Sequence, residues 1–483
     1  MNRHPPRLAA WLAACGLLLG GCAVNPATGK RQLSLISESE EIRIGQENDE
    51  AITAQMGLYD DESLQQYVQR LGSEMAAKSE RPQLDWTFRV VDDPVVNAFA
   101  LPGGYIYITR GIMAHMNSEA ELVSVIGHEI GHVTARHSVS QLSKARLAEG
   151  FLTVGAIAAP EYAEQFGGLV ETGLGMLFLK YGRDDERQAD DLGLRYMVLS
   201  GYDPNPMKKL FRTLERVSQA AGGGRVPGWM STHPAPENRR ERIAEQIREL
   251  DRDFSDRPRG EAEYFTKIDD LVFGENPREG YFKKNLFLHP EMRFRMEFPK
   301  GWKRQNQRQA VVAISDEEDA IVQLTLASEQ TAEAALRSFL SQEGIKRSGS
   351  SMQPIHGLTT AGSGFTVTRE TQKIRGRVGF VEYRDLVFQL LGFSTRERWP
   401  DHESAIRRSL ASFDELTDRR FLDVQPKRLK LVRPTRATTL EGLAEEHEAT
   451  VPVETLALIN RVDPAKQLRP GRTYKVVVGG ELP

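Results

Sequence analysis

Cysteine is nearly absent: the chain of 483 residues has two, Cys15 and Cys22. No disulfide framework can form beyond residue 22, so the rest of the chain depends on burying apolar side chains. Histidine is scarce too, at ten residues, so any clustering of imidazoles is informative. An excess of charge of one sign is missing. The 63 Lys and Arg against 67 Asp and Glu leave a net charge of -4, which gives no pull toward nucleic acid or acidic substrates. Membrane-length hydrophobic runs are also missing. Leu8–Leu19 is apolar but too short to span a bilayer. Residues 150–180 are apolar and glycine-rich, but Glu161, Glu164 and Glu171 interrupt them and Pro160 breaks them. Such charges are expensive in lipid. The stretch reads as two helices near the functional site, either core helices or a lid or membrane-facing patch. The chain length suits two to four domains.

The N-terminus carries an address. Met1–Arg7 is basic, Leu8–Leu19 is a short apolar core, and Leu19-Gly-Gly-Cys22 reads as a lipobox. This pattern resembles bacterial lipoprotein signals. Residues 1–21 are expected to be removed, leaving Cys22 as the lipidated first residue. Ala23 follows it rather than Asp, which by enterobacterial rules directs a lipoprotein to the outer membrane, facing the periplasm.

The most informative segment is His128-Glu-Ile-Gly-His132, within Ser118 to His137. Two residues four apart on a helix lie about 40° apart around its axis and one turn apart along it. Both imidazoles can then face one metal ion, and Glu129 can reach a water beside it. A chance match in a chain of this composition is an event on the order of 1%. Ser118 and Glu121 form a capping-box pattern that starts a helix before the motif. Leu122, Val125, Ile126 and Val133 make a buried stripe. Gly127 and Gly131 are poor helix formers, so another backbone or a ligand is expected to come close.

A catalytic zinc takes three protein ligands and keeps one position open. Glu186, in Arg183-Asp-Asp-Glu-Arg-Gln-Ala-Asp190, is a candidate third ligand on a second helix that starts near Asp184 or Asp185 and ends at Gly201. Asp190, four residues on, can accept a hydrogen bond from the free ring nitrogen of a ligand histidine. Spacing alone leaves an exposed acidic helix start as an equal reading of both residues.

Four motifs occur in order: Asn97-Ala-Phe-Ala-Leu-Pro-Gly-Gly to Gly111, the His128–His132 motif, Glu186-Arg-Gln-Ala-Asp190, and Ser231-Thr-His-Pro-Ala-Pro-Glu-Asn-Arg239. Together, over roughly residues 30–250, they resemble the gluzincin zinc metallopeptidases of the HtpX and CaaX prenyl protease type, in the soluble periplasmic lipoprotein branch (BepA-like and LoiP-like). The resemblance implies one Zn2+ per chain, held by His128, His132 and Glu186, with Asp190 behind a ligand. It implies Glu129 as general base of a zinc endopeptidase. It brings in His233 and Arg239 as positive partners of the oxyanion, with His233 alternatively a fourth ligand that holds the enzyme idle. His137 reads as a structural helix residue. Asn97, Ala98 and Phe99 are implied as an edge strand on which an extended substrate adds by main-chain hydrogen bonds. Unfolded or misassembled envelope proteins are the implied substrates. A chaperone or scaffold with a latent site is the alternative.

The expected architecture is α+β. A mainly helical zincin-type peptidase domain with a small edge-exposed sheet covers residues 22–251, and a polar connector covers 252–285. An α+β sandwich domain follows at 286–420. Met292 to Phe298 alternates strictly, as a half-buried strand does. Further strands are expected at 310–315, 320–326, 364–370, 377–383 and 385–393, with helices at 331–343 and 401–413. This pattern is weakly similar to the PsbP/Mog-like fold. Residues 425–483 read as strand, helix, helix, strand and resemble a LysM module, which implies peptidoglycan as a partner. The first loop departs from that family, with Ala437-Thr-Thr-Leu440 in place of the usual Gly-Asp-Thr-Leu, so packing or protein contact is an equal reading.

Overall fold

A computed structural model describes residues 22–154, 181–220, 228–234, 238–369 and 372–483. The expected signal segment 1–21 and most of the glycine-rich stretch, residues 155–180, lie outside the described residues. Helix and sheet are mixed, and two compact units form. Of the described residues, those up to Gly274 and Arg428–Val478 make the first, and those in Glu275–Lys427 with Gly479–Pro483 make the second.

The first unit is built around the motif helix, Glu119–Thr134, whose residues are all buried. Ser118 Oγ accepts from the Glu121 backbone N–H, as the capping pattern requires. The Glu121 carboxylate takes the Asn117 N–H at 2.8 Å. The backbone N–H groups of Glu119 and Ala120 donate to Gly260 O and Arg259 O. Gly127 and Gly131 serve the purpose their presence implied. The carboxylate helix, Arg183–Leu199, crosses there, backbone against backbone. A Cβ at Gly193 would stand 2.9 Å from His128 N, and one at Gly131 would stand 3.0 Å from Ala189 O. This close approach carries Glu186 and Asp190 to the histidines.

A three-stranded sheet flanks the motif helix. Thr87–Val91 runs parallel to Tyr105–Thr109, which pairs antiparallel with Ala98–Leu101, Phe99 opposite Tyr107. Gly103 and Gly104, both at positive φ, turn the hairpin. Ala98–Leu101 lies at the sheet edge. That edge is not fully open, because Trp229 N–H donates to Val96 O at 3.1 Å and Ala98 and Phe99 are buried.

Two of the expected domain segments pack into the first unit. The polar connector has structure of its own up to Gly274. It forms a helix, Glu261–Ile268, that buries Tyr264 and Ile268, with Tyr264 Oη donating to Met113 O at 2.7 Å. Its few apolar residues are spread through a polar stretch, which hides their common face. The C-terminal module is not a separate unit. It has the expected order, with strand Lys427–Val432, helices Leu440–Glu446 and Val453–Asn460, and strand Tyr474–Gly479, but its core merges with that of the motif helix. The Nζ of Lys475, fully buried, donates to Ala114 O at 2.7 Å and Met116 O at 2.9 Å.

The second unit has a seven-stranded antiparallel sheet and a four-stranded one. Phe294–Glu297 alternates buried and exposed, and Ala310–Ile314, Ala320–Leu326, Thr360–Arg369, Gln372–Tyr383 and Leu386–Thr395 are strands. Ala332–Ser341 and Trp399–Leu410 are its main helices.

Candidate metal centre

His128, His132, Glu186 and His233 come together with one ligand atom each, all within 4.8 Å of one another, and all four are buried. His128 Nε2 and His132 Nε2 are 3.0 Å apart, and His233 Nδ1 lies 3.3 Å from His128 Nε2. Glu186 Oε1 is 3.0 Å from His233 Nδ1 and 3.4 Å from His132 Nε2. Four ligands about 2.0–2.2 Å from one ion in a tetrahedron stand about 3.3 Å apart, so the donor set has the size such an ion needs. Glu186 Oε2, His233 Nε2 and both Glu129 carboxylate oxygens are buried with no hydrogen-bond partner among the described residues. Orphaned groups of this kind are rare unless an ion or water serves them. The donors therefore fit one zinc ion.

Each donor has its own support. His128 Nδ1 meets Asp190 Oδ1 at 2.9 Å. Arg239 grips Asp190 with two donors, Nε to Oδ2 at 2.8 Å and Nη2 to Oδ1 at 2.5 Å, and its guanidinium lies 3.9 Å over the Phe211 ring. Arg239 Nη1 is also 3.7 Å from Glu186 Oε2. The residue expected as an oxyanion partner is thus committed first to Asp190. His233 Nε2 faces Glu129 Oε1 at 3.5 Å.

The charges are tightly balanced. Burial lifts the Glu129 carboxyl above the ordinary glutamate range, against the pull of His233 and His128. Burial also acts against Glu186, yet His233 and the two motif histidines hold it well below that range. His128 is desolvated, but its hydrogen bonds to Asp190 and Glu186 carry it up to about 9, whereas burial pushes His132 well down. A divalent ion would replace the proton that this cluster otherwise competes for.

Sequence reasoning missed three neighbours. Tyr181 stacks on His132 at 3.9 Å between ring centroids, Trp229 stacks on His233 at 4.3 Å, and His137 Nδ1 meets His132 Nδ1 at 2.9 Å. No local pattern marks the two aromatics. His137 was visible only as one more histidine after the motif. Asn97–Phe99 lie beside the segment that carries Trp229 and His233: a Cβ on Gly228 would stand 3.1 Å from Asn97 Cβ. Cys22 begins a two-stranded hairpin, Cys22–Val24 with Arg31–Leu33.

The part of the chain that contains this site is similar to known proteins. The chain is 28% identical over 223 residues to the beta-barrel assembly-enhancing protease of Escherichia coli K12, covering 44% of this chain and 45% of that protein. It is 32% identical over 188 residues to the mitochondrial metalloendopeptidase OMA1 of Arabidopsis thaliana, covering 38% and 36%. The OMA1 of Schizosaccharomyces pombe is 31% identical over 231 residues, covering 46% and 66%. The chain thus spans between about a third and two thirds of the length of these relatives. Among solved structures, cyanobacterial PsbP from Synechocystis overlaps 28% of this chain and 95% of its own, at 14% identity and a TM-score of 0.23, and decides nothing about the second unit. Residues 62–247, which contain the motif helix, the carboxylate helix and the buried donors, match peptidase family M48, so the chain carries a domain of that family.

Proposed function

We propose that this chain is a lipid-anchored zinc endopeptidase of the bacterial envelope that hydrolyses unfolded or misassembled envelope proteins. The observation that carries the peptidase reading is the buried His128, His132, Glu186 and His233 set with, beside it, the Glu129 carboxylate, which has no hydrogen-bond partner among the described residues. A bound zinc supplies Lewis acidity toward the scissile carbonyl and acidifies water. His128, His132 and Glu186 hold it, Asp190 orients His128, and Arg239 keeps Asp190 in place. Glu129 takes a proton from the attacking water and passes it to the leaving amine. Its raised proton affinity in the buried site suits that exchange. His233 stands in the donor set, and such a four-donor arrangement leaves no open position. We assign it to an idle state that is relieved when the segment carrying Trp229 and His233 moves away. The same movement would free the Val96 carbonyl, so that Asn97–Phe99 could pair with an extended substrate.

The envelope assignment rests on the signal-like segment 1–21 before Cys22 and on relatives named for β-barrel assembly. Among the described residues, no helix is long and apolar enough to cross a membrane. A second reading is a chaperone or scaffold with a latent site, which the four-donor set also fits. Pull-down on purified sacculi tests peptidoglycan binding by residues 425–483.

The deciding experiment counts zinc per chain and follows cleavage of unfolded casein, with Glu129→Gln as control. About one zinc, with cleavage lost in the variant, supports the peptidase. Zinc without cleavage supports the latent reading. No zinc in either protein removes the metal centre.

A further inference from the structure

His132 and His137 are five positions apart. On an unbroken helix they would stand about 140° apart around the axis and could not meet. The helix breaks between them. It ends at Thr134, and Arg136 takes φ 58°, a left-handed conformation uncommon for a residue with a side chain. The Arg136 guanidinium holds the turn, with Nε donating to Glu41 Oε2 at 2.8 Å and Nη2 to Ile36 O at 2.9 Å. The next helix begins at His137, whose buried ring folds back so that its Nδ1 meets His132 Nδ1 at 2.9 Å. The other His137 nitrogen, Nε2, meets Gln188 Oε1 at 2.8 Å.

The direction of the protons along this line is fixed from its far end, in the N-terminal hairpin. Asn25 Oδ1 accepts from the backbone N–H groups of Ala27 at 2.9 Å and Thr28 at 3.3 Å. The Asn25 amide nitrogen therefore points the other way. It shares its hydrogens among Gln32 Oε1 at 3.0 Å, Ala135 O at 3.2 Å and Gln188 Oε1 at 3.5 Å. Gln188 thus presents its oxygen to His137, and a neutral His137 carries its proton on Nε2. His137 Nδ1 is then a lone pair that can only accept, so His132 Nδ1 is the donor. That leaves His132 Nε2 bare, and Nε2 is the nitrogen that lies in the donor set.

We propose that His137 is a positioning residue for the metal centre, an uncharged imidazole that accepts the Nδ1 proton of His132 and so fixes the tautomer and ring plane of that ligand. The role exists only if His128, His132 and Glu186 hold the metal as proposed above. A carboxylate does the corresponding work for His128, through Asp190. A neutral acceptor makes its ligand less basic than a carboxylate does, so the two motif histidines differ in donor strength.

Zinc affinity, measured by chelator competition on the full chain in detergent, tests this apart from turnover. His137→Leu should weaken zinc binding about 10- to 100-fold, with the melting temperature of the zinc-free protein little changed. His137→Asn should recover affinity to within about threefold of the parent, because its Oδ1 can stand in for Nδ1 as the acceptor. If His137→Leu fails to fold, Gln188→Met frees the ring to invert and should weaken zinc binding by about threefold or more, less than the 10- to 100-fold expected from losing the outer partner itself. A parent chain that takes up no zinc would sink the metal reading itself. A parent that binds zinc while His137→Leu (or, in its place, Gln188→Met) binds it equally well would overturn the role of His137 and leave the metal centre standing. Equal weakening in the Leu and Asn variants would do the same.

Discussion

Arg461, in the C-terminal module, makes a two-pronged ion pair with Glu121, in the first turn of the helix that carries His128 and His132. The guanidinium also donates to His115 O at 3.1 Å, and Asn117 Nδ2 donates to Ile459 O at 3.0 Å. With Lys475 on the carbonyls of Ala114 and Met116, the module grips the turn from which the motif helix starts. The C-terminal module therefore helps set the position of the buried donors His128 and His132.

Breaking that grip should loosen the catalytic unit. Arg461→Ala leaves the Glu121 carboxylate buried without its counter-charge, a change that costs about 3–5 kcal/mol in a buried pair. Lys475→Met strands two buried carbonyl groups, at about 1–3 kcal/mol each. Calorimetry of each variant should show the unit containing the motif helix melting earlier, with the second unit unchanged. A module that melts separately, with the motif helix unaffected, would contradict the shared core.

The helix crossing at Gly193 is equally exposed to test. Gly193→Val puts a side chain where only 2.9 Å separates the Cβ position from the His128 backbone nitrogen. Overpacking of this kind costs about 1–3 kcal/mol. It should also push Glu186 away from the histidines. A fall in zinc affinity of about tenfold or more, read by chelator competition, is the expected result.

Removing the imidazole of His233 opens the fourth position. His233→Ala should retain about one zinc through His128, His132 and Glu186. Turnover on casein should rise, by about tenfold where nine chains in ten hold the closed arrangement. A fall of two orders of magnitude would instead make His233 a donor to the transition state.

Acid should weaken the grip at the turn. Burial, against the hydrogen bond to Gly111 O and reinforced by Lys475 and Arg461, pushes His115 down to about 4 from 6.5. Between these values the unfolded chain binds a proton that the folded chain refuses, so this residue makes stability fall as pH drops from 6.5 toward 4 and contributes nothing above that window. Between pH 7 and pH 5 the loss is about 2 kcal/mol. His115→Asn, which does not titrate, should lose less by that amount in urea unfolding measured at both pH values.

The sequence alone determined what depends on local geometry. Two imidazoles four apart on a capped, striped helix must share a face, and Phe294–Glu297 could only be a half-buried strand. The glycines at 127 and 131 even announced a close crossing, though not the partner. Glu186 and Asp190 were visible as a pair on one helix face, and the crossing at Gly193 made them neighbours of the histidines. Only the tertiary structure decided the rest. His137 faces His132 because a left-handed turn at Arg136, held by Glu41 from a distant helix, breaks the periodicity from which sequence spacing is read. Trp229 and Tyr181 reach the site through stacking, which leaves no repeat in the chain. The C-terminal module looked independent because its own pattern is complete. Its attachment runs through Arg461 and Lys475, two basic residues that look solvent-bound in sequence and are drawn inward by partners some 340 and 360 residues away.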